Sequence, residues 1–343
     1  MKSNVTGKTY ANGGVMADTF AHTLVLKREK ASAAKRRRQW KRNIQGWLFS
    51  IWPFVGYLLF FGVPFVFSIV LSMSELHGFD ITGFAFVGLK NFKWIFTDPQ
   101  HRFWFSVRQT LIYALSLPIS IVLGLSTAVL LTRHVKLTRL FRTILFIPNV
   151  CSVVGISMMW RLVFNGNNGV LNTIITAIVG EGHWTPIDWL NSPFWFMPSV
   201  ILTTTWGAGA GSILFQAALE QVNKSLIEAA KIDGASRRKI FFSVTLPAIS
   251  PTTFYVLVMN SIGVFQAFAN IQVLANSGIT PMNSKGNSIP MTAVYFIYYM
   301  AFEKTSLYGL GRATACAWVL AVLIGLLTVV NFKASKLWVH YDD

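Results

Sequence analysis

The stretch Asn223-Lys-Ser-Leu-Ile-Glu-Ala-Ala-Lys-Ile-Asp-Gly-Ala-Ser-Arg-Arg-Lys-Ile-Phe-Phe-Ser-Val-Thr-Leu-Pro247 lies between two long uncharged runs. Ser225 and Glu228 stand at capping-box spacing, which predicts the start of a short helix. Asp233-Gly234 predicts its end, because glycine enters the left-handed conformation a helix C-terminus needs. Ser236 is placed to cap a second helix and Pro247 to stop it. The reading is a helix–turn–helix lying against a membrane. In its first helix, small Ala229 and Ala230 stand beside Leu226 and Ile227. Such a helix suits a narrow groove on a partner. It suits equally a plain connector between two spans.

Working outward, the preceding run, Asn191–Leu219, has 29 residues without Asp, Glu, Lys or Arg, and the following one extends from Ile240 to Ser284. A membrane-crossing helix needs about 20 mostly apolar residues. Gly46–Met73, Thr110–Thr132, Thr143–Trp160 and Ala313–Phe332 are also charge-free. Six spans are expected, at about 46–73, 110–132, 143–160, 196–219, 252–274 and 313–332. Gly286–Phe302 is shorter and carries Pro290, Tyr295, Tyr298 and Tyr299, so it reads as an outer helix that does not cross. The fold class is an all-α polytopic membrane protein. A basic tail occupies 1–45, the membrane domain 46–337 and a short tail 338–343.

Composition agrees. Of 343 residues, 53% are hydrophobic and only 13% charged, against about 25% charged in soluble domains. A soluble nucleic-acid binder is excluded despite the net charge of +17, because the charge is not spread over a polar surface. Cys151 and Cys316 both fall in apolar runs and read as packing residues, not a disulfide framework. With six spans, 22 of the 30 Lys and Arg fall on one face with seven acidic residues, a net +15; the other face has eight basic and six acidic residues, a net +2. Positive charge marks the cytoplasmic side, so both termini and the 223–247 loop are placed there. The basic run Lys27–Arg42 either enforces this topology or binds anionic lipid head groups.

No Asp, Glu, Lys, Arg or His lies inside the six runs, which argues against proton-coupled carriers and voltage sensors. The sequence has no phosphate-loop motif, no His/Cys/Asp cluster at metal spacing and no catalytic constellation. Gly207 and Gly211 have the spacing that lets helices pack closely. Active transport by such a chain draws its energy from elsewhere.

The spacing Glu228-Ala229-Ala230, Gly234, Val244, Leu246-Pro247 resembles the signature loop of permease subunits of bacterial ABC importers, with Val244 where Ile is usual. Phe86-Val-Gly88-Leu-Lys-Asn91-Phe92, Phe141-Arg142-Thr143 with Phe146-Ile147-Pro148 and Trp160, Gly169-Val-Leu171-Asn172, Trp189-Leu190, and Tyr295–Tyr298 with Ala301-Phe302 and Tyr308-Gly309 extend the resemblance from about Trp47 to Leu337. They are similar to the maltose, lactose and glycerol-phosphate branch. The sequence departs from that branch at Arg108, at Ala269 and over Asn276–Pro281. The resemblance implies the six-span importer fold in the bacterial inner membrane, N and C termini inside. It implies a coupling helix in which Leu226, Glu228, Ala229, Ala230, Asp233, Gly234 and Pro247 meet a cytoplasmic ATPase. The implied partners are a second homologous permease subunit, usually different, two ABC ATPase subunits that bind ATP and Mg, and an extracytoplasmic solute-binding protein; no cofactor is expected in this chain. The implied cargo is a sugar or oligosaccharide.

Such a cargo needs amides, hydroxyls and aromatic faces. Gln266 and Asn270 recur at helical spacing with Gly263, Asn260 lies nearby, and Thr205 and Trp206 stand above the glycines. Each of these polar groups either lines a path or glues helices together. A gradient-driven secondary carrier for a neutral solute is the alternative.

Overall fold

The computed structural model describes residues 35–78, 81–132, 138–207, 209–275 and 280–340. The chain divides into two units at Ser68 and Ile69. Most of helix α1 (Lys35–Ser72) makes up the first. Its backbone is already helical from Lys35, so the basic residues from Lys35 to Arg42 are helical. Near its middle the ladder widens into a π turn at Leu58–Gly62, and the Val63 N–H reaches back to the Leu58 carbonyl. Pro64 follows at once. A proline has no N–H and its ring clashes with the carbonyl four residues back, and the wider turn relieves both.

The second unit opens with a two-residue hairpin pairing, β1 (Ser74–Glu75) antiparallel to β2 (Ala85–Phe86). Then come α2 (Lys90–Thr97), α3 (Arg102–Tyr113), α4 (Ser116–Thr132), α5 (Thr138–Val150), α6 (Val153–Val163), α7 (Val170–Val179), α8 (Phe196–Gly207) and α9 (Gly209–Gln221). The loop contributes α10 (Lys224–Ile232) and α11 (Arg237–Ala248). After it run α12 (Ser250–Phe265), α13 (Ala269–Leu274), α14 (Ala293–Tyr298) and α15 (Thr305–Ser335), which kinks at Gly309, where φ is +78°.

Among the described residues, α1, the α3–α4 rod Arg102–Thr132 and the Gly309–Ser335 part of α15 are each long and apolar enough to cross a membrane. Two expected spans are bent instead. The expected 143–160 span is α5 and α6, set at 101° across Cys151 and Ser152. Pro148 sits within α5, and Ser152 restarts the helix from an extended conformation. The α11–α12 pair bends by 66°. The expected 252–274 span ends at Phe265, and Ala269–Leu274 is a separate short helix. The expected 196–219 segment is covered by α8 and α9, and residue 208 between them lies outside the described residues. The α3–α4 rod starts at Arg102 rather than residue 110, so Arg102 and Arg108 are helical. It loosens at Ala114 and Leu115, where the missing N–H of Pro118 leaves the Ala114 carbonyl to Leu117. The expected outer helix over 286–302 is shorter, α14 running into a π turn at Tyr299–Glu303.

Buried apolar side chains gather in clusters around Phe103, Met300 and Cys316, around Phe164, Phe196 and Ile271, and around Phe215, Ile249 and Val256. Cys316 is packed as expected; Cys151 is exposed at the α5–α6 bend. Asn172 ties the two ends of the 166–189 loop together. Asn172 Nδ2 donates to the Gly166 and Ile187 carbonyls at 2.8 and 2.9 Å, and its Oδ1 accepts from Trp189 Nε1 at 2.7 Å. Asn172→Ala strands three partners, at about 1 kcal/mol or more each. The expected outcome is earlier cleavage between residues 166 and 189 in limited proteolysis, with Asn172→Asp intermediate because it keeps only the Trp189 bond.

Candidate functional site

The loop helix is built from local chemistry. Asn223, not Ser225, caps α10: its Oδ1 accepts from Ser225 N–H at 3.0 Å and from Ser225 Oγ at 2.8 Å. This replaces the expected Ser225–Glu228 box, because the Ser225 hydroxyl is spent on the cap itself. Asp233 closes the helix and Gly234 takes φ +76°. The Gly234 N–H reaches the Lys231 carbonyl at 3.1 Å and the Ala235 N–H the Ala230 carbonyl at 3.0 Å, the paired bonds of a Schellman stop. Ser236 caps α11 by accepting from Lys239 N–H at 3.3 Å. Pro247 does not end α11, which runs on through a π turn, Phe241–Thr245, to Ala248. The turn again immediately precedes the proline pair Leu246-Pro247, and the break falls at Ile249, before Pro251.

Ile227 and Val222 anchor α10 on the Phe215 cluster. The rest is open: no residue of α10 is buried, and apolar Leu226 and Ile232 are 54% and 87% exposed. Glu228, Ala229, Asp233 and Gly234 are exposed, and Ala230 and Pro247 half-buried.

A cavity of about 410 Å³ opens at the α5–α6 bend. Tyr113, Asn149, Trp160, Thr203, Thr204, Trp206, Gly263 and Asn270 are among its lining residues. Among the described residues, no Asp, Glu, Lys, Arg or His lines it. Trp160 stacks on Phe164, rings 5.2 Å apart at 22°, and meets Trp206 edge to face at 6.2 Å and 89°. Asn270 Nδ2 donates to Tyr113 Oη at 3.3 Å. The Ser157, Thr203 and Thr204 hydroxyls donate to carbonyls of their own helices at 2.7–2.8 Å, which leaves their oxygens as acceptors. The Trp160 indole N–H is buried and has no hydrogen-bond partner among the described residues.

The expected path residues separate. Trp206 and Asn270 line this cavity; Thr205, Asn260 and Gln266 do not. Gln266 caps the end of α12 and is exposed, so Gly263, Gln266 and Asn270 share no continuous helix face. Tyr113, Asn149 and Ser157 were not among the expected residues. The one sequence signal for them is Pro148-Asn149 inside an apolar run, a polar residue beside a helix breaker.

The model of the family described as binding-protein-dependent transport system inner membrane component matches residues 120–334. The chain belongs to this family. This inner-membrane component is 34% identical to the probable ABC transporter permease protein YesP of Bacillus subtilis, over 91% of this chain and 97% of that one. It is 29% identical to the lactose transport system permease protein LacF of Rhizobium radiobacter, over 86% and 95%. Its fold is shared with a chain of the bacterial alginate ABC transporter solved with an alginate pentasaccharide-bound periplasmic protein, at a TM-score of 0.72 and 21% identity over 86% of this chain and 95% of that one. The inner-membrane component is thus the membrane-embedded permease of a binding-protein-dependent transport system and not an enzyme. Nothing in these matches points to a gradient-driven carrier.

Proposed function

We propose that this permease forms half of the import path for a neutral carbohydrate, and that α10 couples the path to a cytoplasmic ATPase. In this reading the chain crosses the membrane six times with both ends inside. It pairs with a second, homologous permease subunit and takes cargo from a solute-binding protein. Two ATPase subunits bind the ATP and Mg. The observation that carries the reading is the uncharged cavity at the α5–α6 bend. It offers aromatic faces, amide groups and hydroxyl acceptors together, and a sugar presents apolar C–H faces and many hydroxyls. Relatives named for lactose, diacetylchitobiose and arabino-oligosaccharides support the cargo class. The exposed apolar residues of α10 support docking, because Leu226 and above all Ile232 leave most of their apolar surface uncovered.

The test is uptake of lactose, maltose, diacetylchitobiose and arabinotriose by the complete transporter in vesicles. One of these should be taken up with ATP, and charged amino acids should not. Asn270→Ala and Trp206→Ala should each raise the KM for uptake about threefold to tenfold, the worth of one lost neutral hydrogen bond or ring contact. Uptake of amino acids but of no sugar would reject the cargo class.

A further inference from the structure

A second cavity lies between α4, α5 and α9. It measures about 340 Å³ and is lined by Leu131, Arg142, Thr143, Phe146, Ser212 and Gln216, with Leu145 and Ile213. On α5 its lining ends at Phe146, and that of the first cavity begins at Pro148. From Thr143 to Asn149 is about 9 Å at the helical rise. On the α8 and α9 side, Thr203, Thr204, Trp206 and Gly207 line the first cavity and Ser212, Ile213 and Gln216 the second. The two cavities therefore follow one another along the same pair of walls, the second at the end where α9 meets α10.

Gln216 is 94% buried, with a relative exposure of 6%. It makes one hydrogen bond, Nε2 to Ser212 Oγ at 3.5 Å, within its own helix. An amide kept to glue two helices would bond across to the other helix. Among the described residues Gln216 makes no such bond to another helix, and its side chain lines the cavity. One turn further along α9, Glu220 pairs with Arg142 of α5 at 3.6 Å, tying the two walls together at that end.

We propose that this second cavity is the exit station of the path, where Gln216 receives a hydroxyl of the neutral cargo before the Arg142–Glu220 end opens. The proposal rests on the import reading above. Its cargo chemistry is the same, uncharged and rich in hydroxyls, because the amide offers one acceptor and one donor without charge.

The test uses the assembled transporter in proteoliposomes, on a Cys151→Ser background. Gln216→Cys should react with the membrane-impermeant reagent 2-sulfonatoethyl methanethiosulfonate, added on the ATPase side, during ATP turnover. Gln216→Leu, of similar volume, should lower uptake about tenfold while ATP hydrolysis stimulated by the loaded binding protein stays within about twofold. Gln216→Asn should recover most of the uptake. A thiol that reacts with membrane-permeant N-ethylmaleimide but never with the sulfonate places the cavity against lipid and overturns the proposal. Gln216→Leu with full uptake overturns it as well. Labelling needs no cargo. If the sulfonate reacts while every sugar fails, the exit station stands and the carbohydrate reading falls; the reverse pattern removes the station alone.

Discussion

Gly234→Val should abolish coupling without unfolding the protein. Gly234 holds φ +76°, and no atom lies within 4 Å of where its Cβ would be. The penalty is therefore backbone conformation alone, with no clash to relax. A left-handed conformation costs an ordinary residue about 1–2 kcal/mol, and a β-branched one more. Asparagine tolerates it. The α10 helix is poorly placed to absorb such a cost. It has nine residues, none of them buried, and its carboxyl end depends on the Gly234–Lys231 and Ala235–Ala230 bonds. A helix this short is marginal without its caps. Uptake by the reconstituted Gly234→Val transporter should fall at least about tenfold, and its ATPase should cease to respond to loaded binding protein. The thermal midpoint should hardly move, and Gly234→Asn should keep most of the uptake. Full coupling in Gly234→Val would sink the role assigned to α10.

The loop was readable because its signals are local. Gly234 and Ser236 act on backbone groups within three residues of themselves, so spacing alone locates them. The misplaced start has the same origin. Asn223 and Ser225 are both good caps two residues apart, and only the geometry shows Asn223 holding both Ser225 groups. The apolar segments were readable as lengths but not as shapes. A charge-free run reports how much chain avoids water and says nothing of straightness, so the 101° bend at Cys151 and Ser152 and the end of α12 at Phe265 stayed hidden. The cavity was the least readable part. It forms where Tyr113 and Asn270 meet across 157 residues, and no periodicity encodes that contact. Trp206 and Asn270 were reachable because polar and aromatic residues are rare in apolar runs; Gln266 falls away from Asn270 because α12 ends at Phe265, before the expected period is complete.

Gly311→Ala should cost the larger unit much of its stability, although glycine to alanine normally favours a helix. The chain just after α1 packs directly on the start of α15. Asn91, 3% exposed, donates through Nδ2 to the Ser72 and Ser74 carbonyls at 2.9 and 2.7 Å. Leu310 N–H donates to the Leu76 carbonyl at 2.8 Å, and Lys90 Nζ donates to Glu75 Oε2 at 2.9 Å, which holds the Glu75 carboxyl below its usual range. A Cβ on Gly311 would overlap the Ser74 carbonyl oxygen and stand 2.9 Å from Asn91 Nδ2. The obstacle is backbone held by a buried amide, so neither side yields cheaply. Overpacking of this kind costs about 1–3 kcal/mol, and displacing the amide adds the loss of up to two buried bonds at about 1 kcal/mol each. At about 2–4 °C per kcal/mol the thermal midpoint should drop on the order of 10 °C. Asn91→Ala should reach a similar loss by leaving the Ser72 and Ser74 carbonyls unpaired. Gly325→Ala lies in the same helix with nothing within 4 Å, and it should be neutral or stabilising by up to about 1 kcal/mol. Equal midpoints for Gly311→Ala and Gly325→Ala would mean that the contact between residues 72–76 and α15 yields easily, and that the Asn91 bonds contribute little to holding the larger unit together.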